Sequence, residues 1–534
     1  MRSWQLYGIA ALLWAAIFLP GLGDPELKGE EGRRILPART MLRTGEWIVP
    51  FSEGKPYSRK PPMINWAIAA SFKLTGIENE WTARLPSVLA ILIATIVIVW
   101  SSRGMISDNG ALVAALSFLA CFAQVDKGRL AEIEALYVAL TAIAMALWLR
   151  FWHREANPWL TYTIPWFFLG LAMLTKGPVH LLFVYGVVIA TLIDSQRLKD
   201  LLRPPHLFGI GIMCSIFAPW AIANAHRSAA FDADVDKAQT VWLQQLTERL
   251  DPAGIDWGNY FLVPLQGIAN FAPWAIFLII FWRNITPWSR TEPSLTGSAI
   301  RGLKWGILIT FLIVSLIPES RPRFTMPLFG GAAILTGWIT TRAWEESRDK
   351  IQKWWQLVVR SLARPLALAA IAIPAVVTPG ITPLVIGLVV ATVLFLIQRR
   401  PLDTLAKLTI GTTTIIAAVI IMIAVDTRHL QDERANVRPL GQTISAALPG
   451  DAHLAVFKPG PQPFLFYVSQ DYTIVDRPSQ IPADTVYLLL QSNHRERVFQ
   501  RKALTAAGEP TLVTEVTARD GKHYELLKLP KIPE

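Results

Sequence analysis

The sequence predicts an all-α polytopic membrane protein carrying a small α/β domain at its C-terminal end. Three observations predict it. Of 534 residues, 52% are hydrophobic. Charged residues make up 17%, against roughly 25% in soluble domains. Apolar runs of about 16–21 residues recur along most of the chain, each long enough to cross roughly 30 Å of hydrocarbon as a helix. Lipid offers backbone groups no partner outside their own helix, so these runs are read as helices.

About 13 spans are expected, near residues 5–22, 84–101, 109–124, 131–150, 159–174, 177–194, 207–223, 262–282, 302–318, 323–341, 361–378, 381–398 and 407–425. The first runs from Gln5 to about Leu22 behind Arg2. No small-x-small cleavage site follows it, so it reads as an uncleaved span, not a signal peptide. With the N-terminus inside, the inside loops are SSRGMISDNG, RFWHREANP, DSQRLKDLLRPP, WRNITPWSR…IRGLK, TRAWEESRDKIQKWW and QRRPLDTLAK. They and the N-terminus hold roughly 20 Lys/Arg and the short outside loops about five, an asymmetry that sets orientation. An odd number of spans puts the C-terminus outside.

The expected division is a membrane domain, residues 1–425, and a soluble extracytoplasmic α/β domain, residues 426–534. Two long outside segments, 23–83 and 224–261, belong to the first. The tail alternates helix-like stretches (RPLGQTISAAL, RERVFQRKALTAA) with strand-like ones (AHLAVF, FLFYVSQ, TVYLLLQ, TLVTEVT, HYELLKL). Its β-branched and aromatic content and Gly/Pro punctuation suit a small sheet domain.

Other classes are excluded on the same page. The net charge of +11 follows the inside loops and makes no nucleic-acid patch. Cys121 and Cys214 both fall inside apolar runs and read as packing residues. No Cys/His set has zinc spacing, and no P-loop or GxGxxG opens a helix after a strand. Span interiors are nearly free of charge, whereas ion-coupled carriers keep ionisable groups at membrane depth. No internal repeat marks a transporter.

The outside charges that orientation does not explain are the informative ones. Lys127 and Arg129 lie in VDKGRLAEIE, Lys176 in LTKGPV, Arg321 and Arg323 in PESRPRF, and Arg59 and Lys60 in PYSRKPP. Together they suggest a cationic rim suited to a lipid phosphate. Arg249, in the second long segment, is a further candidate for it. Residues 23–34, GDPELKGEEGRR, hold four carboxylates and three cations. Glu30 and Glu31 are adjacent and diverge by roughly 100° on a helix. One is therefore free to act as a base while the other is structural, with Arg33 or Arg34 as a partner. Glu132 and Glu134, at the start of the fourth span, also face different ways, so at most one points at a shared site. LPARTML, which follows the first pair, has the apolar spacing of a surface helix.

Residues 30–76, EEGRRILPARTMLRTGEWIVPFSEGKPYSRKPPMINWAIAASFKLTG, resemble the first outside loop of the GT-C membrane glycosyltransferases. They are most similar to the branch holding the lipid A aminoarabinose transferase and the protein mannosyltransferases, glycosyltransferase families 83 and 39. ARLPSVL (83–89), LTKGPV (174–179), SRPRFTMPLFGGAAIL (320–335) and the tail's RPLGQTI…FYVSQ agree in order. The resemblance implies a GT-C fold and transfer of a sugar from a polyprenyl phosphate to a lipid or protein acceptor at the outer face of the inner membrane. It implies Glu30 as the base, with Glu31 second in the acidic pair and Glu134 as a further acidic residue, Glu132 being the fallback. It also implies Lys60 on the donor phosphate; Arg59, Lys176, Arg323 and Arg249, from the cationic rim, are the further candidates for that phosphate. An acid from the first outside segment and a ring of cations are expected to meet at the extracytoplasmic lip. The family's usual Asp-Glu pair is Glu-Glu here, and Arg59 replaces the Glu before Lys-Pro. Pro37 falls inside the first-loop helix, and LDPAGIDWGNYFLVP lacks the family's His. No metal or other cofactor is assigned. A lipid flippase and an inactive scaffold that binds lipid-linked sugar are the competing classes.

Overall fold

The structure is a computed structural model that describes residues 2–52, 55–57, 60–230, 257–376, 380–432, 437–460, 462–482, 484–499, 508–518 and 521–530. It divides into two compact units: residues 1–22, 84–222 and 239–427 form the first, and residues 23–83, 223–238 and 428–534 the second.

Elements run in chain order as α1 Ser3–Phe18, α2 Gly32–Thr44, β1 Phe51–Ser52, β2 Lys55–Pro56, α3 Met63–Thr75, α4 Glu80–Ser102, α5 Asp108–Leu119 and α6 Phe122–Lys127. Then come α7 Ile133–His153, α8 Pro158–Lys176, α9 His180–Asp194, α10 Pro204–Ala230, α11 Leu262–Ala269, α12 Ala275–Phe281 and α13 Ser294–Ser315. The remainder is α14 Phe329–Val376, α15 Ile381–Arg399, α16 Leu405–Asp432, α17 Val437–Ala446, β3 Leu454–Phe457, β4 Tyr472–Val475, β5 Tyr487–Gln491, β6 Thr511–Thr517 and β7 His523–Lys528.

The first unit is helical and polytopic. Among the described residues, seven helical stretches are long and apolar enough to cross a membrane, and α1, α5 and α9 are shorter apolar helices. α7 is apolar around its circumference and almost wholly buried, as a central helix must be. α14 combines two expected spans. Non-helical backbone at Ser347 (φ −141°, ψ 41°) separates its arms.

The run 262–282, expected as one span, is two helices, α11 and α12. Pro273 has no N–H to continue the ladder. The carbonyls freed at the break are taken by α6: Phe122 N–H donates to Ala272 (2.9 Å) and Ala123 N–H to Asn270 (3.0 Å). Irregular backbone inside a membrane domain needs partners of this kind.

Helix contacts in this unit are made by small residues, since lipid gives apolar helices no hydrophobic reason to associate. Gly302 and Gly306 of α13 face Thr191, Val187 and Gly186 of α9, so closely that a Cβ at either glycine would meet α9 backbone. Two arginines close the end of α1: Arg129 donates to the Ile17 and Pro20 carbonyls, and fully buried Arg84 to the Leu22 carbonyl at 2.8 Å. Cations at a helix C-terminus meet unsatisfied carbonyls and the negative end of the dipole. That gives Arg129 a structural duty.

The second unit joins residues 23–83 to the tail. Its sheet runs β4-β3-β5-β7-β6, with β3 parallel to both neighbours and β7 antiparallel to β5 and β6. Every β3 residue is buried. FLFYVSQ, expected as a strand, is a 3-10 turn at Pro463–Tyr467. Phe464, Leu465 and Phe466 are buried in succession, which a strand with one wet face does not allow. The turn packs instead on α2 and α3. Phe466 stacks on Phe72 (6.5 Å). Arg39 sits over the Phe466 ring (4.3 Å), donates to the Phe466 carbonyl (3.1 Å) and pairs with Glu78 (2.8 Å). The Tyr467 hydroxyl donates to Glu80 (2.9 Å) and accepts from Leu27 N–H (2.9 Å). Burial and the Glu80 carboxylate push the Tyr467 phenol up. α2 continues through Pro37, and the apolar face expected to lie on a membrane is covered by this packing.

Candidate active site

The acidic pair opens α2. Gly29 takes a left-handed conformation (φ 58°), which turns the chain tightly enough for Glu31 to reach back. Glu31 is fully buried and its Oε2 accepts from Lys28 N–H at 3.0 Å. Glu30 faces out, 35% exposed, with Arg33 Nη1 at 3.1 Å and Arg34 Nη2 at 3.6 Å. The divergence expected of adjacent positions therefore separates a buried latch from an accessible carboxylate. Gly32 lets the helix start press on Pro463, where a Cβ would be about 3.2 Å from the proline.

Arg34 ties this turn to the PYSRKPP segment. Its guanidinium lies over the Tyr57 ring at 5.8 Å, and its carbonyl accepts from Asn65 Nδ2 at 2.7 Å. Tyr57 and Asn65 stand on either side of Lys60 in the chain. Arg34, expected with Arg33 as a partner of the structural glutamate, pairs with the accessible Glu30. Asn65 was not singled out by sequence reasoning; its signal was an amide in the first turn of an apolar helix.

In the first unit, three predicted residues from distant segments meet. Glu134 occupies the first turn of α7, Lys176 ends α8, and Arg323 opens the turn before α14. The Glu134 carboxylate, 8% exposed, receives Lys176 Nζ at 3.3 Å and Arg323 Nε at 3.6 Å. Gly177 (φ 92°) ends α8 directly after Lys176, a conformation that glycine adopts without strain. The lysine ammonium lies over the rings of Tyr137 (5.2 Å) and Phe324 (5.6 Å). Tyr137, three positions from Glu134, shares its helix face and meets His180 edge-on at 5.8 Å. That i+3 spacing was the available signal for Tyr137.

Glu132 points elsewhere, 3.8 Å from Lys127. Two cations around one carboxylate leave the Glu134 cluster with one positive charge in excess. A half-buried excess cation is suited to an anion, and Lys176 (16% exposed) and Arg323 (30% exposed) both keep surface to meet one. Arg59 and Arg249 lie outside the described residues. Cys121 and Cys214 are free thiols.

Comparison with known proteins adds three likenesses. Residues 59–222 match the family dolichyl-phosphate-mannose-protein mannosyltransferase. The undecaprenyl phosphate-alpha-4-amino-4-deoxy-L-arabinose arabinosyl transferase of Edwardsiella ictaluri (strain 93-146) is 25% identical over 362 residues, 63% of this chain and 59% of that protein. An uncharacterized protein of Aquifex aeolicus (strain VF5) is 24% identical over 338 residues, 62% of this chain and 63% of its own. The chain thus spans about three-fifths of the length of these curated relatives. The crystal structure of ArnT from Cupriavidus metallidurans bound to undecaprenyl phosphate aligns with a TM-score of 0.70 at 17% identity, covering 98% of each chain. Over nearly its whole length, this chain shares the fold of that ArnT structure.

Proposed function

We propose that the protein transfers a sugar from a polyprenyl phosphate to a lipid or protein acceptor at the extracytoplasmic face of the inner membrane. The observation that carries this reading is the Glu134–Lys176–Arg323 cluster, whose excess positive charge suits a phosphate. The names of the relatives, a polyprenyl-dependent arabinosyl transferase among them, support the reaction class. About 13 spans and an extracytoplasmic tail complete the proposed topology.

Lys176 and Arg323 hold the donor phosphate, with Lys60, Arg59 and Arg249 as further cations. Glu134 keeps the first two in place between turnovers. Glu30 takes the proton from the acceptor hydroxyl or phosphate oxygen as that oxygen bonds to the anomeric carbon. The bond from that carbon to phosphate breaks, and the polyprenyl phosphate leaves with the electron pair. One displacement inverts the centre. Glu31 shapes the turn and takes no part in proton transfer. Fixed cations of this kind, at a site shielded from water, stabilise developing charge by about 2.7–4 kcal/mol each.

Purified protein in proteoliposomes with radiolabelled polyprenyl phosphosugar tests the reading. A transferase releases polyprenyl phosphate when acceptor is present. Movement of intact donor between leaflets would replace the proposal by a flippase, and binding alone by an inactive scaffold.

A further inference from the structure

α7 links two charged clusters at opposite ends. Arg150, in its last turn, and Arg154, its C-cap, lie 16 and 20 positions beyond Glu134, about 24 and 30 Å along the axis at 1.5 Å per residue. There they meet the short loop between α4 and α5. Arg150 Nη1 donates to the carbonyls of Trp100 (2.5 Å) and Arg103 (3.2 Å), and its guanidinium lies 3.6 Å from the Trp100 ring centroid. Arg154 Nη2 donates to the same Arg103 carbonyl (3.1 Å). The Arg103 side chain turns away to Asp108 (2.7 Å) and to the Ser3 hydroxyl (2.9 Å) at the start of α1. Gly104, left-handed at φ 93°, has no Cβ where the Arg154 guanidinium rests.

Three arginines, Asp108, Trp100 and Gly104 line a cavity of about 390 Å³. The one carboxylate is committed to Arg103. Among the described residues, no carboxylate pairs with Arg150 or Arg154, whose bonds go only to backbone carbonyls. Two guanidiniums sharing one carbonyl repel each other unless an anion joins them. Phosphate oxygens match the guanidinium fork and are the anion it binds best. Trp100, partly exposed at the end of an apolar helix, marks the depth of lipid headgroups. This end carries the N-terminus, which the basic loops assign to the cytoplasm.

We propose that Arg150 and Arg154 bind the phosphate of an anionic phospholipid in the leaflet at the N-terminal face. The site is separate from the Glu134 cluster and holds that end of α7 against the α4–α5 loop. Basic pockets between helices on this face are suited to acidic headgroups, each arginine contributing about fivefold in affinity.

The test is a thermal-shift titration of full-length delipidated protein with phosphatidylglycerol, phosphatidylcholine and inorganic phosphate, in the wild type and in Arg150→Gln/Arg154→Gln. Phosphatidylglycerol is expected to stabilise the wild type saturably, with a midpoint about 25-fold higher in the double variant. Phosphatidylcholine should have little effect. Saturable, variant-sensitive stabilisation by inorganic phosphate alone would overturn the lipid assignment in favour of a soluble anion. Equal phosphatidylglycerol midpoints in both proteins, or no saturable effect, would overturn the site. If the double variant does not fold, Arg154→Gln alone decides: its exposed head makes one backbone bond, and a fivefold shift is expected. An unchanged midpoint there would overturn the proposal.

Discussion

Replacing Lys176 by Met separates a structural ion pair from a donor-binding cation. The substitution keeps most of the stem's volume over Tyr137 and Phe324 and removes the charge. Glu134 loses its nearer partner, at 3.3 Å, and keeps Arg323 at 3.6 Å. Removing one side of a buried pair costs about 3–5 kcal/mol when the other charge is left alone. Arg323 remains, so about 2 kcal/mol of stability should be lost. The donor phosphate loses one charge-assisted bond, about 1.5–3 kcal/mol, or about 10- to 150-fold in affinity at 1.36 kcal/mol per decade. The double variant Lys176→Met/Glu134→Gln then distinguishes the two effects. It no longer buries an under-compensated carboxylate, so thermal stability should return toward wild type. Donor affinity, measured by competition with radiolabelled polyprenyl phosphosugar, should stay weak. Wild-type affinity in the double variant would refute the reasoning and reduce Lys176 to the counter-ion of Glu134.

The remaining predictions concern the packing inside each unit taken by itself. Arg39→Met should destabilise the second unit by about 2–3 kcal/mol, because the buried Phe466 carbonyl loses its donor and Glu78 its partner; unchanged protease resistance of the tail would contradict it. Tyr467→Phe should cost about 1–2 kcal/mol, since Leu27 N–H loses its acceptor while Glu80 keeps Arg438 at 2.5 Å; the thermal midpoint reads it. Gly306→Val should lower stability by about 1–3 kcal/mol through overpacking against α9 backbone, whereas Gly8→Ala, with nothing within 4 Å of its Cβ position, should be silent. Equal midpoints for these two variants would remove the glycine contact from the account.

The helical architecture was legible because apolar length is a direct consequence of the bilayer. Among the described residues most of each expected span falls on helix, and departures such as the following arise for reasons hydropathy does not carry. Residues 262–282 break where Pro273 lacks an N–H and α6 supplies donors from elsewhere in the chain. Residues 323–341 and 361–378 share one long element because polar residues between them continue the helix to a kink at Ser347. FLFYVSQ looked like a strand because its aromatic content suits one. It is a turn because three successive side chains find burial against α2 and α3, a tertiary fact.

At the site, Glu134, Lys176 and Arg323 could be listed from the sequence but not joined, since their segments are far apart in the chain. The Glu30/Glu31 distinction was legible from helical geometry, which requires adjacent side chains to diverge. Which of them is buried depends on the left-handed turn at Gly29. Arg129 was ambiguous for a similar reason. A cation before a span looks like a rim residue until the carbonyls of α1 are placed against it.

The central claim is that an accessible carboxylate at the start of α2 removes the acceptor proton. Its most direct test is the single-turnover rate of sugar transfer from radiolabelled polyprenyl phosphosugar by wild type and Glu30→Gln, with donor binding measured on the same samples. A fall of about 10²–10⁴-fold in rate with unchanged donor affinity is the predicted result. Transfer at the wild-type rate in Glu30→Gln would contradict it.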